Sequence, residues 1–191
     1  MSSKFDKFHN ILANLPEQLN KFKVDFKNRN DFKDFAFNLS GNLKSWNEVY
    51  VTGYFSEGAR GEFNKIAEWK KLRLICPKFR LSSERNRSDL QALRKLSKVE
   101  PLGKNAGVEI KISNMVHARL FIAFNRILQT EDYSGLLVLG SFDFNKEGIA
   151  GERFDAGIST QNPDLVKSAI KLFEEIWNDD SSKPLDEAFP E

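Results

Sequence analysis

Two short segments, Met115-Val-His-Ala-Arg119 and Leu139-Gly-Ser-Phe-Asp-Phe-Asn-Lys146, carry the residues of this chain best suited to chemistry. His117 is one of only two histidines. It lies two residues before Arg119, so on a strand both side chains would point to one face. An imidazole can attack as a nucleophile or act as a base, and a guanidinium can hold a phosphate with a fork of donors. The first segment leads into an apolar run and the second ends one. If both runs are strands of one sheet, their adjacent ends would bring His117, Arg119, Ser141 and Asp143 to one point. That set would make an oxyanion or phosphate site.

These residues resemble the phospholipase D superfamily. Its signature is His-x-Lys, often with an Asp five residues after the Lys, followed by Gly-Ser-x-Asn. The likeness extends beyond the signature. Gly140-Ser-Phe-Asp-Phe-Asn-Lys-Glu-Gly148 is similar to the family's glycine-serine segment. Arg153-Phe-Asp-Ala-Gly-Ile158 is similar to its later Asn-x-Glu-x-Gly strand, and Asp164 to Asn178 to its closing helix. The resemblance covers roughly residues 46–180. Four positions depart from the pattern: Arg119 stands for Lys, Phe124 where the Asp would fall, Asp143 for Asn, and Asp155 for Glu.

The resemblance implies a phospholipase D-like α/β fold, a mixed sheet flanked by helices, and a phosphodiesterase that needs neither metal nor cofactor. His117 would attack phosphorus to give a phosphohistidine, a second histidine would protonate the leaving oxygen, and water would release the enzyme. Arg119 would bind the non-bridging oxygens, bidentately as guanidinium does. Ser141 would hydrogen-bond a phosphate oxygen or the arginine. Asp155 would accept a hydrogen bond from the other ring nitrogen of His117 and fix its tautomer. Asp143 would repel a phosphodiester unless paired, for instance with Arg119.

Full-length enzymes of the family carry two signature copies, and this chain carries one. The other histidine, His9, falls in a helix-like segment and is expected on its surface. A homodimer sharing one composite site on its two-fold axis follows by counting.

The elements that must position these residues are legible in the pattern. Residues 1–45 are expected to be a helical extension, because Phe5, Phe8, Leu12, Leu15, Leu19 and Phe22 keep a spacing of three or four. Residues 46–180 then alternate strand and helix. Strands are expected at 48–55, 72–76, 107–112, 116–124, 136–140 and 155–159. Helices are expected at 59–70, at 88–98 with Ser88 as N-cap, and from Pro163 onward. Residues 125–135 read as a hairpin connection, and the acidic residues 181–191 as a loosely held tail.

The 191 residues suit one well-buried domain, with 17 phenylalanines promising an aromatic core. A net charge of +2 does not by itself argue for nucleic acid. Local clustering does: Lys78, Arg80, Arg85, Arg87, Arg94, Lys95 and Lys98 stand against only Glu84 and Asp89. Lys78, Arg80, Arg85 and Arg87 are the expected backbone contacts of a nucleic acid, with DNA favoured over RNA. The single cysteine, Cys76, excludes an intrachain disulfide and reads as a buried thiol. No run is long enough to cross a bilayer and the first residues lack a signal-peptide pattern, so a cytoplasmic location is expected. The leading expectation is a dimeric nuclease; the alternative is a catalytically degenerate module that binds nucleic acid or a partner protein.

Overall fold

The computed structural model describes residues 43, 45–114, 116, 119–127, 133–141 and 157–190, and the backbone of 25–27. Among these residues the strands are β1 (Asp25–Lys27), β2 (Glu48–Thr52), β3 (Lys71–Pro77), β4 (Gly107–Ser113), β5 (Arg119–Arg126), β6 (Tyr133–Gly140), β7 (Gly157–Thr160) and β8 (Ser182–Pro184). They form one mixed sheet in the order β1-β7-β6-β5-β2-β3-β4-β8. β2, β3 and β4 are parallel, while β5, β6 and β7 are successively antiparallel. The helices are α1 (Arg60–Trp69), α2 (Glu84–Leu96), α3 (Pro163–Asn178) and the short α4 (Leu185–Ala188), with a 3-10 turn at Glu57–Ala59 before α1.

The sheet is covered on both faces, so its central strands are apolar on both sides rather than alternating. In β5 every residue from Leu120 to Phe124 is buried. On one face Val49, Val51, Leu72, Leu74, Phe121 and Val138 pack with Phe63 and Ile66 of α1 and Leu90, Leu93 and Leu96 of α2. On the other, Tyr50, Ile75, Ile122, Phe124 and Leu137 pack under Val166, Ile170, Phe173 and Trp177 of α3. Tyr50 stacks on Phe173, centroids 4.5 Å apart, and meets Phe124 edge-on at 4.9 Å.

The mixed sheet with flanking helices is as expected, and most element positions hold within a few residues. Four details differ. Within the N-terminal extension, the described residues 25–27 are a strand paired to β7, not helix, because that edge offers backbone partners. The helix expected from Ser88 starts a turn earlier: Ser83 is the N-cap, its Oγ accepting from the Asn86 amide at 3.1 Å. The hairpin is tighter than expected, since β5 runs through Arg126 and β6 starts at Tyr133, with Arg126 and Tyr133 paired.

The fourth difference is the tail. Residues 182–184 pair with β4, and α4 sends Leu185 and the following Phe189 into the core, where both are buried. Arg94 donates to the Phe189 carbonyl at 2.8 Å, and Phe79 packs on the Phe189 ring at 5.0 Å. Acidic composition hid two well-spaced apolar anchors. Phe189→Ala is expected to lower unfolding free energy by about 3 kcal/mol in a denaturant titration; a loosely held tail would give no change.

Candidate functional site

The parallel strands end at Thr52, Pro77 and Ser113, and β5 starts while β6 ends at this same edge. Ligands of open α/β sheets bind outside the carboxyl ends of the parallel strands. Arg119 is the first residue of β5. It pairs with Gly140 of β6, which in turn pairs with Gly157 of β7. Thr52 of β2 pairs with Leu120, so Gly53 falls opposite Arg119 on the other side. A Cβ built on Gly53 would lie 3.6 Å from Arg119 Cγ. Gly53 also has φ +148°, a conformation that side chains rarely adopt. Arg119 is therefore flanked on both neighbouring strands by glycine, which leaves room beside its half-buried stem.

The start of β5 is fixed from below. Buried Thr52 turns its Oγ1 to accept from the Leu120 amide at 3.1 Å. Ser141 is exposed directly after Gly140, one residue beyond the position paired with Arg119. The register thus puts Arg119 and Ser141 at the same edge of the sheet. Phe121, two residues on, is buried on the α1/α2 face. His117, Asp143 and Asp155, and likewise His9, lie outside the described residues.

Phe124 is remote from this point. It pairs with Gly135, is fully buried, and meets Tyr50 and Tyr133 edge-on. It lies five residue steps along the strand from Arg119, about 17 Å. Phe124 therefore belongs to the core, not to the edge that holds Arg119.

The basic run divides in two. The chain leaves β3 through Lys78, whose amide donates to the Ser113 carbonyl at 3.0 Å, and enters α2 at the site edge. Lys78, Arg80, Arg85 and Arg87 are all exposed there. The N-terminus of α2 adds its partial positive charge to the same edge. Arg94, by contrast, is tied to the Phe189 carbonyl, and Lys95 lies ten helical residues beyond Arg85, about 15 Å away. The seven cations are not one patch.

Between the strand ends and α2 sits a cluster that the sequence reading missed. The Tyr54 hydroxyl donates a short hydrogen bond to the carboxylate of Asp89, a buried acid on α2. The Arg85 guanidinium lies 6.0 Å over the Tyr54 ring, and Phe79 meets that ring at 6.2 Å. The only signal was an acid at a core-facing position of α2.

Burial, then the hydrogen bond and charge of Asp89, hold the Tyr54 hydroxyl well above the usual phenol range. Cys76 is buried, and burial, reinforced by Asp89, pushes its thiol up likewise.

The opposite edge differs in charge. A groove of about 640 Å³ there is lined by residues including Asn47, Glu48, Lys71, Glu109 and Arg126. Its charges are internally paired: Arg126 Nε lies 2.7 Å from Glu48, and Lys71 3.9 Å from the same carboxylate. No group of three or more potential metal-ligating side chains occurs among the described residues. Nor is any described helix long and apolar enough to cross a membrane.

The architecture matches solved structures closely enough to define its class. A phospholipase D family member, Nuc from Salmonella typhimurium, superposes with a TM-score of 0.57 at 10% identity, over 84% of this chain and 96% of that one. NucT from Helicobacter pylori gives 0.59 at 12% identity, over 84% and 98%. Phosphatidylserine synthase from Haemophilus influenzae gives 0.60 at 13% identity, over 85% of this chain and 39% of that chain. No family model matches the sequence, and no curated protein matches it. The chain has the phospholipase D fold.

The two raised acids set a testable pH dependence. Folded Cys76 and Tyr54 keep protons that the unfolded chain releases, so their stabilisation is present below the unfolded pKa values and lost as pH rises above about 8.5. The thermal midpoint is expected to fall above that pH, with a shallower fall in Cys76→Ala. Native Cys76 is expected to resist a thiol reagent at about pH 8 and to react only in denaturant.

Proposed function

We propose that this protein is a metal-independent phosphodiesterase of the nuclease type. The observation that carries the reading is the register: Arg119, between two glycines, beside Gly140 and Ser141 at the carboxyl edge of the parallel strands. A guanidinium whose stem lies between two glycines, a hydroxyl at the next strand end and an exposed basic rim suit a phosphodiester backbone. The fold, shared with a phospholipase D family member over nearly its whole length, supports the same chemistry.

In this reading His117 is the nucleophile. Its Nε2 forms a bond to phosphorus as one ester oxygen departs with a proton from a second imidazole. Water then takes the phosphoryl group and frees His117. Arg119 neutralises the charge that builds on the non-bridging oxygens, where a preorganised donor counts most. Ser141 donates to one of them. Asp155 orients the His117 ring, and Asp143 pairs with a cation of the site. The second imidazole is His117 of another copy, which makes the working unit a homodimer. Lys78, Arg80, Arg85 and Arg87 hold the flanking nucleic acid, DNA in preference to RNA.

A second reading keeps the fold and the binding but not turnover. Its support is the pair of substituted polar positions, Arg119 and Asp143, since a carboxylate within the site would compete with phosphate for the arginine.

The readings separate on hydrolysis of bis(p-nitrophenyl) phosphate and of DNA in excess EDTA, with a sedimentation measurement of oligomeric state. We expect activity that survives EDTA, vanishes in His117→Ala, falls about 100- to 1,000-fold in Arg119→Ala, and is kept in Arg119→Lys. A dimer without turnover that still binds DNA in a salt-sensitive way would establish the binding module instead.

A further inference from the structure

The phosphate-facing edge carries an aromatic feature for which phosphodiester chemistry has no need. Tyr54 follows Gly53, the residue opposite Arg119, and is only half-buried. Its ring is held in place from several sides. The hydroxyl is anchored to buried Asp89, Phe79 meets the ring at 6.2 Å, and Arg85 lies 6.0 Å over it. Phe79 is itself backed by buried Phe189 at 5.0 Å. The loop that carries Phe79 is pinned by Asn86, which donates to the Arg80 carbonyl.

Tyr54 also has exposed Arg85 over its ring, in a segment that carries the exposed cations Lys78, Arg80 and Arg87 as well. Aromatic faces interleaved with cations that track a backbone are the arrangement that binds single-stranded nucleic acid, through stacking of bases and screening of phosphates. A flat guanidinium such as that of Arg85 can stack on a base as readily as on Tyr54. Bases of a duplex are already stacked on one another and are not available to a side chain at the rim.

We propose that Tyr54, with Phe79 and Arg85, forms a platform on which an unpaired nucleobase stacks, one step along the strand from the phosphate held at Arg119, so that the ligand is a single strand. The inference rests on the phosphodiester reading of the Arg119 edge. The fixed ring limits the rotamer freedom lost on binding, so the stacking contact is made at low entropic cost. The platform is indifferent to sequence, because every base has a π-face.

The test is binding and cleavage of three oligonucleotides by the full-length protein in EDTA: a thymidine 12-mer, an abasic 12-mer with the same phosphates, and a duplex of equal length. The wild type is expected to bind the thymidine strand about tenfold more tightly than the abasic strand or the duplex. Tyr54→Leu is expected to remove that advantage while leaving abasic affinity unchanged. Tyr54→Phe, which keeps the ring and loses the hydrogen bond to Asp89, is expected to retain most of it.

Equal wild-type binding of the thymidine and abasic strands would overturn the platform and leave the phosphodiester reading standing. An equal loss for both strands in Tyr54→Leu, with its circular dichroism unchanged, would likewise overturn it. Failure to bind or cleave any of the three would overturn both readings together. The wild-type comparison needs no variant, so it can overturn the platform even if Tyr54→Leu does not fold.

Discussion

The antiparallel register of β5 against β2 and β6 is the constraint on which the candidate site depends. Side chains alternate faces along a strand, so a slip of one residue would turn Arg119 toward α3 and Leu120 toward α1 and α2. Burial forbids the slip. Phe121 and Ala123 are fully enclosed on one face, Ile122 and Phe124 on the other, and exchanging these sets would leave neither face packed. The Thr52 hydroxyl adds a direct tie by accepting from the Leu120 amide. Core packing in the middle of the strand thereby places a cation at its end, between Gly53 and Gly140.

The two edges of the sheet have been given different electrostatic characters by the same topology. Right after β3 the chain turns into α2, so the exposed cations of the connection and the helix N-terminus gather at the carboxyl edge. At the far edge the ionic groups answer one another. Arg126 pairs with Glu48 and approaches Glu174 at 3.5 Å, while Arg73 Nε lies 3.3 Å from Glu109 without the alignment of a hydrogen bond. Burial, then the neighbouring Glu48 charge, push the Tyr50 hydroxyl up to about 12, so this network stays neutral phenol and paired ions across the physiological range. A net charge of +2 thus conceals a positive edge and a balanced one.

Aromatic side chains do much of the work of joining layers. Under α3, Tyr50, Phe173 and Trp177 stack in series, with Arg73 5.0 Å over the Trp177 ring and Lys111 also at 5.0 Å. Lys111 further donates to the Trp177 carbonyl at the end of α3, where a cation complements the helix dipole. On the other side, Phe189 and Phe79 carry the C-terminal segment into contact with the loop after β3. Residues that looked like a solvated ending therefore brace the rim beside the candidate site.

The sequence by itself determined the periodic elements and the local chemistry. Apolar runs specified the strands from 48 to 140, Pro163 marked the start of α3, and the segments around residues 117 and 141 carried the likeness to the phospholipase D superfamily. These are short-range properties, set by side-chain spacing and caps. Only the tertiary structure decided which distant residues meet. The pairing of β1 with β7 at 25–27, the anchoring of Leu185 and Phe189, and the Tyr54–Asp89 contact across 35 residues all depend on partners that no local window contains. The division of the basic run is of the same kind: spacing shows that cations are near in sequence, but the thirteen-residue α2 carries Arg94 and Lys95 to its far end, away from Arg85 and Arg87.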